Sequence, residues 1–559
     1  MMILVLGWWA GRIFGVAKGF RPVDRDQQFL LPVSMRDWLP EGHLVWFVLD
    51  TVEQLDLGAF RARHRLGGAG REAYDPQMLL ALLVYGYAVG QRSSRQVERL
   101  CGVDVAFRVL CGQDPPDHTT IARFRKTHVD LFERVFAQVL ALCGRAGMGR
   151  LGTVAIDGTK IAANASIDAN HREEWFREQA RAIAAEADAV DAAEDAEFGA
   201  GVRGDELPAE LADPTTRAER IRRCLAELEA ERAAADAEAA VGQVKAQQYL
   251  ERIAAGPVIG RDPVGVDPVA AATARLEREL AVRKTQIGAY AAKLAAARAA
   301  GRRGPGGRAV VDPLGGKQVK KALAALHRVL AAEASRAERE GPGTGSGKDG
   351  VVRRNVTDPD SRILPTRKGW VQGYNAQLGV SADYLIVALM LTVNPADVGE
   401  FNAMIERVEH AVGVLGLQRD EFAQVGTALA DAGYFSEGNL PADLVEGEAA
   451  PMFDRLIAPG KSRDIQREAA VNPASGPPPD DVTAAEKMRH RLRTPEGASL
   501  YKKRGATVEP VNGHLKDRVG LRTFSMRGMT ACLGELNLAA AVHNLRRMFV
   551  VTTASIGTV

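Results

Sequence analysis

The feature that most restricts the fold is a break in pattern. Residues 151–163, LGTVAIDGTKIAA, read as one short apolar strand in which Val154, Ile156 and Ile161 lie between glycines. The next strand-like pattern begins only near residue 351, after a long stretch dominated by Ala, Glu and Arg. One strand cannot pair its own backbone groups or bury its own side chains. The spacing therefore predicts one sheet-bearing domain built from residues 151–169 and 350–550, with residues 170–349 inserted into it. One carboxylate, Asp157, interrupts the strand, where it is costly to bury unless a cation or a partner meets it.

The second block supplies the missing partners. GYNAQLGVS and DYLIVALMLTV are β-rich runs joined by a short polar turn and predict a hairpin. DVGEFNAMIERVEHAVGVLG follows with helical periodicity, and TALADAGY reads as a further short strand ending at Asp431. PMFDRLIAPG reads as another buried strand. A strand, a hairpin, a helix and two strands is the order of a mixed, five-stranded RNase H-like sheet flanked by helices, an α/β fold.

The insertion has a different physics. Ile221, Leu225 and Leu228 recur at i, i+4 and i+7; Leu280, Ile287 and Leu294 repeat every seven; Val319, Leu323, Leu326 and Leu330 make a third stripe. These predict long amphipathic helices packed as a hairpin or coiled coil, with Gly/Pro-rich breaks at 256–268 and 301–316. GPGTGSGKDG at 341–350 is not a phosphate-binding P-loop. Pro342 stands where the first glycine is needed and Asp349 where Ser or Thr should follow Lys348, so a flexible linker is expected.

Ahead of the first strand, residues 20–150 predict an all-helical domain. Pro76 can open a helix at its first turn before the Leu79, Leu80, Leu82, Leu83 run. SSRQVERLCG and VDVAFRVLCG predict short helices, and PPDHTTIARFRKTH predicts a helix capped by Thr119 or Thr120 that carries Arg123, Arg125 and Lys126. Short helices with a basic last helix suit a helix-turn-helix-like module docked on DNA; the plain alternative is a bundle with a solvated basic face. The start, MMILVLGWWAG, is too short for a membrane span, which needs about 20 apolar residues, and residues 1–19 are expected to be poorly ordered. Five cysteines, none in a CxxC pair, argue against a disulfide framework and favour a reduced cytoplasm, with association to the nucleoid when DNA is bound.

Net charge is only +2, so distribution has to decide about partners. From Lys487 to Arg547 there are 13 Lys and Arg against 4 Asp and Glu, a one-sided basic segment suited to a phosphate path. Thr483 with Glu486 predicts a capping box there. Glu509 precedes Pro510 and is expected in the first turn of a helix reaching Lys516, two turns on and on the same face; Tyr501 and Arg504 lie on the approach. Two strand carboxylates, Asp157 and Asp431, and one helix carboxylate, Glu509, beside basic groups, form a plausible site for divalent metal and phosphate.

In that context, IDGTKIAANAS (156–166), NVTDPDSR (355–362), KGWVQGYNAQ (368–377), LADAGYFS (429–436) and YKKRGATVEPVNGHLKDRVGLRTFSMRG (501–528) together resemble the DDE transposases of bacterial insertion sequences. The run FRPVDRDQQFLLPVSMRDWLPEGHLVWFV is similar to that family's helical entry domain. The resemblance implies an RNase H-like catalytic domain and two Mg²⁺ or Mn²⁺ ions. It implies cleavage of double-stranded DNA at terminal inverted repeats and strand transfer into target DNA. The acidic triad falls on Asp157, Asp431 and Glu509, and the family's Tyr-Arg-Glu-Lys signature on Tyr501, Arg504, Glu509 and Lys516. Four residues rather than the commoner three separate Arg504 from Glu509, while the six before Lys516 are kept. Two ends must be paired, so a homodimer is expected, with no membrane involved. The competing readings are an RNase H-like nuclease without strand transfer, a catalytically silent DNA-binding regulator and a coiled-coil scaffold.

Overall fold

The computed structural model describes residues 20–21, 23–25, 34–64, 72–182, 185, 217–258, 262–263, 265–304, 309–339, 353–366, 368–416, 426–440, 452–479 and 482–556. The expected disordered start and the 341–350 linker lie outside them. The chain divides into two compact units, residues 1–170 with 354–559, and residues 171–353.

The first unit opens with a two-residue strand, Phe20–Arg21, paired in parallel with Ala73–Tyr74, so residues 20–150 are not wholly helical; the other described elements of this region are helices. They are α1 (Leu44–Glu53), α2 (Gly58–Arg61), α3 (Pro76–Ala88), α4 (Ser94–Val103), α5 (Val105–Leu110), α6 (His118–Thr127) and α7 (Phe132–Arg145). Pro76 opens α3 at its first turn, and Asp75 caps it by accepting from the Gln77 amide. Every residue of α3 except Gln77 is buried, as an all-round apolar helix must be. In α6 the cap is Asp117, not Thr119 or Thr120. Both threonine hydroxyls donate to its carboxylate, which also takes the Thr120 amide, because a carboxylate has two oxygens and about four lone-pair sites to accept with, where a hydroxyl has one oxygen and two.

The strands follow as β1 (Thr153–Ala162), β2 (Arg362–Thr366), β3 (Gly369–Ser381), β4 (Ile386–Thr392), β5 (Gly426–Ala430) and β6 (Phe453–Ile457). They form one sheet of six strands, in the order β6-β5-β1-β3-β2, with β4 also on β3. β6, β5 and β1 run parallel, and β1, β2 and β4 each run antiparallel to β3. The sheet is mixed as expected but has a sixth strand, β2. This strand contains Pro365, and proline is tolerated on an edge strand where its missing N–H costs no ladder bond.

Five helices complete the unit: α11 (Phe401–Val414), α12 (Ser462–Val471), α13 (Ala484–Arg493), α14 (Pro495–Gly513) and α15 (Met529–Ile556). Helices α8 (Arg217–Ala255), α9 (Pro268–Ala299) and α10 (Lys317–Arg339), which precede these in the chain, belong to the second unit. The Thr483–Glu486 capping box opens α13 as expected. α15 packs against α3, α7 and β4. Its Asn544 donates to and accepts from the Ile386 backbone at 2.8 Å each, covering the edge of β4.

The second unit contains α8 (Arg217–Ala255), α9 (Pro268–Ala299) and α10 (Lys317–Arg339), with α9 packed against both others. Ile221 and Leu228 are buried, whereas Leu280, Ile287 and Leu294 are half-buried, a shallow seam between helices. All five cysteines are free and buried, as small core residues should be.

Close backbone approach makes one glycine of β3 essential. A Cβ on Gly373 would stand 2.2 Å from the Ile161 carbonyl oxygen of β1. Gly373→Ala is expected to destabilise the protein by about 1–3 kcal/mol through forced separation of the strands, read as a lower urea midpoint.

Candidate active site

Two carboxylates converge because of strand register. Ala155 of β1 pairs with Leu429 of β5, so Asp157 and Asp431 each lie two residues past the same rung and point to the same face. Adjacent strands are about 4.8 Å apart, which brings the two charges into strong mutual repulsion. Asp431 leaves the strand as the cap of a short turn, accepting from the Gly433 amide at 2.8 Å.

α14 lies across this face. Thr494 caps it and Pro495 occupies its first turn, so the helix begins fourteen residues before Glu509 rather than at it. Pro510 sits inside the helix. Its ring removes the bond that would reach Ala506, and Ala506 is exposed, so water can serve that carbonyl. The helix ends at Gly513 and passes into a π-helical turn, His514–Arg518. Lys516 is therefore not on a continuous two-turn face with Glu509; the wider turn carries its ammonium to the Thr159 hydroxyl, on the same face of β1 as Asp157.

From α14, Arg504 stands 3.6 Å from Asp157, and Asn512 donates to the other Asp157 oxygen at 3.4 Å. Tyr501 is buried and hydrogen-bonds Arg504. Burial pushes the Asp157 carboxyl up to about 7, against the pull of the Arg504 guanidinium; the Asp431 and Asp397 charges push the same way as burial. Burial also holds the Lys516 ammonium below its usual range.

The structure thus brings Asp157, Asp431, Tyr501, Arg504 and Lys516 together. Glu509 is exposed on the same helix, against Gly505 one turn back and three residues from Asn512. Residues three apart on a helix are neighbours, so Glu509 flanks the group that reaches Asp157. The donor chemistry fits a hard divalent cation: carboxylate oxygens, and a buried negative charge only partly offset by Arg504. As placed, no three His, Cys, Asp or Glu side chains among the described residues are disposed to hold one.

Sequence reasoning missed several neighbours. Thr159 was legible in principle, since it shares Asp157's face by strand alternation, and Asn512 lies eight residues from Arg504, close to two turns. Asp397 reads as the start of the helical run DVGEFNAM, but α11 begins only at Phe401, which leaves Asp397 in the loop after β4. It lies at the opposite face of β1, accepting from Asn375 at 2.6 Å and Gln377 at 2.7 Å, with Lys160 at 3.5 Å. Gly158 permits this approach, since a Cβ there would meet Asp397 at 2.5 Å. Buried Tyr434, whose hydroxyl donates to Gln377, underlies the cluster.

On α6, Arg123 and Lys126 are exposed, whereas Arg125 is half-buried and donates to the Arg92 carbonyl at 2.9 Å.

Comparison with known families now bears on these two regions. Residues 33–127 match a transposase domain (DUF772), and residues 478–549 match a transposase DDE domain. These matches support a DDE-type insertion-sequence transposase. The first covers the helices through α6, the second the segment carrying Tyr501, Arg504, Glu509 and Lys516. No curated protein and no solved structure matches the chain. A transposase acts on DNA, and no described helix is long and apolar enough to cross a membrane.

The raised Asp157 carboxyl has a consequence for stability. Its folded pKa of about 7 exceeds the ordinary 3.8, so the folded state binds the extra proton and loses stability as pH rises between those values. Asp157→Asn removes that loss. In EDTA, the variant should melt above the wild type at pH 8, with the difference shrinking towards pH 4. A melting curve with the same pH slope as the wild type would contradict the buried environment in which Arg504 only partly offsets the charge.

Proposed function

We propose that this transposase cuts DNA strands at the terminal inverted repeats of an insertion sequence and joins them to target DNA, using an RNase H-like catalytic domain. The observation that carries the reading is Asp157, on the third strand of the path β6-β5-β1-β3-β2. It is level with Asp431 and faces a helix that presents Arg504 and Asn512. The strand order, with a hairpin on one side of β1 and two parallel strands on the other, supports the RNase H-like assignment.

Asp157, Asp431 and Glu509 are the residues that would hold two Mg²⁺ or Mn²⁺ ions, which activate the attacking oxygen and offset charge on the leaving one. The remaining groups act on the DNA itself. Arg504 is fixed by Asp157 and Tyr501, so its planar fork is oriented before a phosphate arrives. Lys516, held by Thr159, offers a second cation beside the same strand. Both stabilise charge on the transferring phosphate in a partly buried setting where such charges interact strongly. Arg123 and Lys126 of α6 grip end DNA, and two copies of the chain bring two ends together.

A duplex carrying the element's own end, labelled and incubated with Mg²⁺, tests the catalytic reading. Asp157→Ala, Asp431→Ala and Glu509→Ala should each lower nicking by about 10²-fold or more, and EDTA should abolish it. Wild-type nicking by all three variants would refute the assignment. Nicked ends that never appear joined to target DNA would leave a nuclease instead.

End binding gives a separate check. Replacing Arg123 and Lys126 by Gln should weaken binding and reduce the salt slope by about 1 for each phosphate no longer neutralised. An unchanged affinity and slope would give the helical domain another task.

A further inference from the structure

The two regions that match transposase families are joined by a buried ion pair that the catalytic reading does not use. Arg92, in the turn between α3 and α4, donates from Nη1 to Glu535 of α15 at 2.8 Å. Its Nη2 donates to the carbonyls of Gly520 at 2.6 Å and Thr523 at 3.0 Å. Glu535 is fully buried and also accepts from Tyr87 Oη, the Ser525 amide and hydroxyl, and the Met526 amide. A buried carboxylate this fully hydrogen-bonded fixes its partners in one arrangement, and removing one partner is costly.

What it fixes is the segment 519–526, which follows Lys516. This segment pairs with the end of β1: the Ala162 amide donates to Arg522 at 3.0 Å and the Phe524 amide donates to Ala162 at 2.8 Å. Ala162 also pairs with Gly373 of β3, so these bonds lie on the other edge of β1. That edge is held by β5 at Thr153–Ala155 and by this segment at Ala162, with Asp157 between the two supports. Backbone packing reinforces the join, since a Cβ on Gly90, at φ +76°, would stand 2.8 Å from the Arg518 carbonyl oxygen. At its other end, the Arg92 carbonyl accepts from Arg125 of the basic helix α6.

We infer that Arg92 is a positioning residue for the strand that carries Asp157, and that Arg125 serves this join rather than binding phosphate. Through Glu535 and segment 519–526, Arg92 sets where β1 ends. Through its own carbonyl, it ties that position to the helix proposed to grip end DNA. The inference rests on the proposed strand cleavage for its kinetic consequence, but the physical join is measurable without DNA.

Arg92→Lys keeps the charge opposite Glu535, while one ammonium group cannot span a carboxylate and two carbonyls as the guanidinium fork does. In the full-length protein without DNA, amide exchange at Ala162 and Phe524 should become faster, with the melting temperature changed by only a few degrees. On an end duplex, kcat should fall by about 10²-fold with KM unchanged, the signature of a misplaced reacting group. Arg125→Gln should move exchange and kcat in the same direction by less, and serves as the second variant if Arg92→Lys does not fold. Exchange at these two amides as slow as in the wild type would overturn the inference, as would a loss expressed entirely in KM. Should the wild type cut no end duplex, the proposed function fails, and the exchange measurement still decides whether Arg92 positions the strand.

Discussion

The antiparallel pairing of β1 with β3 supports everything else in the first unit. It joins segments more than two hundred residues apart, from Val154 opposite Ser381 to Ala162 opposite Gly373. Closing so long a loop is less costly than its length suggests, because the entropy grows only with the logarithm of the number of residues. The pairing sets which face Asp157 occupies. A one-residue slip would turn Asp157 and Thr159 away from α14. The close approach at Gly373 and the intrusion of Asp397 beside Gly158 are local features that oppose such a slip.

Much of this was legible because it depends on short-range rules. Alternation in 151–163, the polar turn between the β3 and β4 runs and the Thr483–Glu486 pair each specify their element within a few residues. In two places the local preference of proline is outweighed by context. Pro365 stays in a strand because the strand is on an edge, and Pro510 stays in a helix because Pro495 and Thr494 had already started that helix. The register of Lys516 could not be read from spacing alone, since a π-helical turn changes the residues per turn. Asp397 reads in sequence as part of the helix that begins only at Phe401, and only the fold brings it, as a loop residue, beside Lys160, Asn375 and Gln377.

The electrostatics of the site follow from that geometry. Asp157 faces opposite pressures: burial and two nearby carboxylates favour its protonated form, while Arg504 favours its charged form. This is the balance expected of a position built to receive additional positive charge, and perturbed groups of this kind gather at functional sites. Glu509, exposed and with its carboxylate against Gly505, remains free to change rotamer at little cost.

The Asn544 amide on β4 has a consequence for assembly. An exposed strand edge invites a foreign strand to extend the sheet, but here the Ile386 N–H and C=O are both already occupied by one amide side chain. An incoming strand would have to displace two bonds, each worth about 0.5–1.5 kcal/mol net, and strand the Asn544 amide in an apolar interior. The final long helix thus acts as a stopper on the sheet, steering any association of copies towards side-chain surfaces rather than towards this margin.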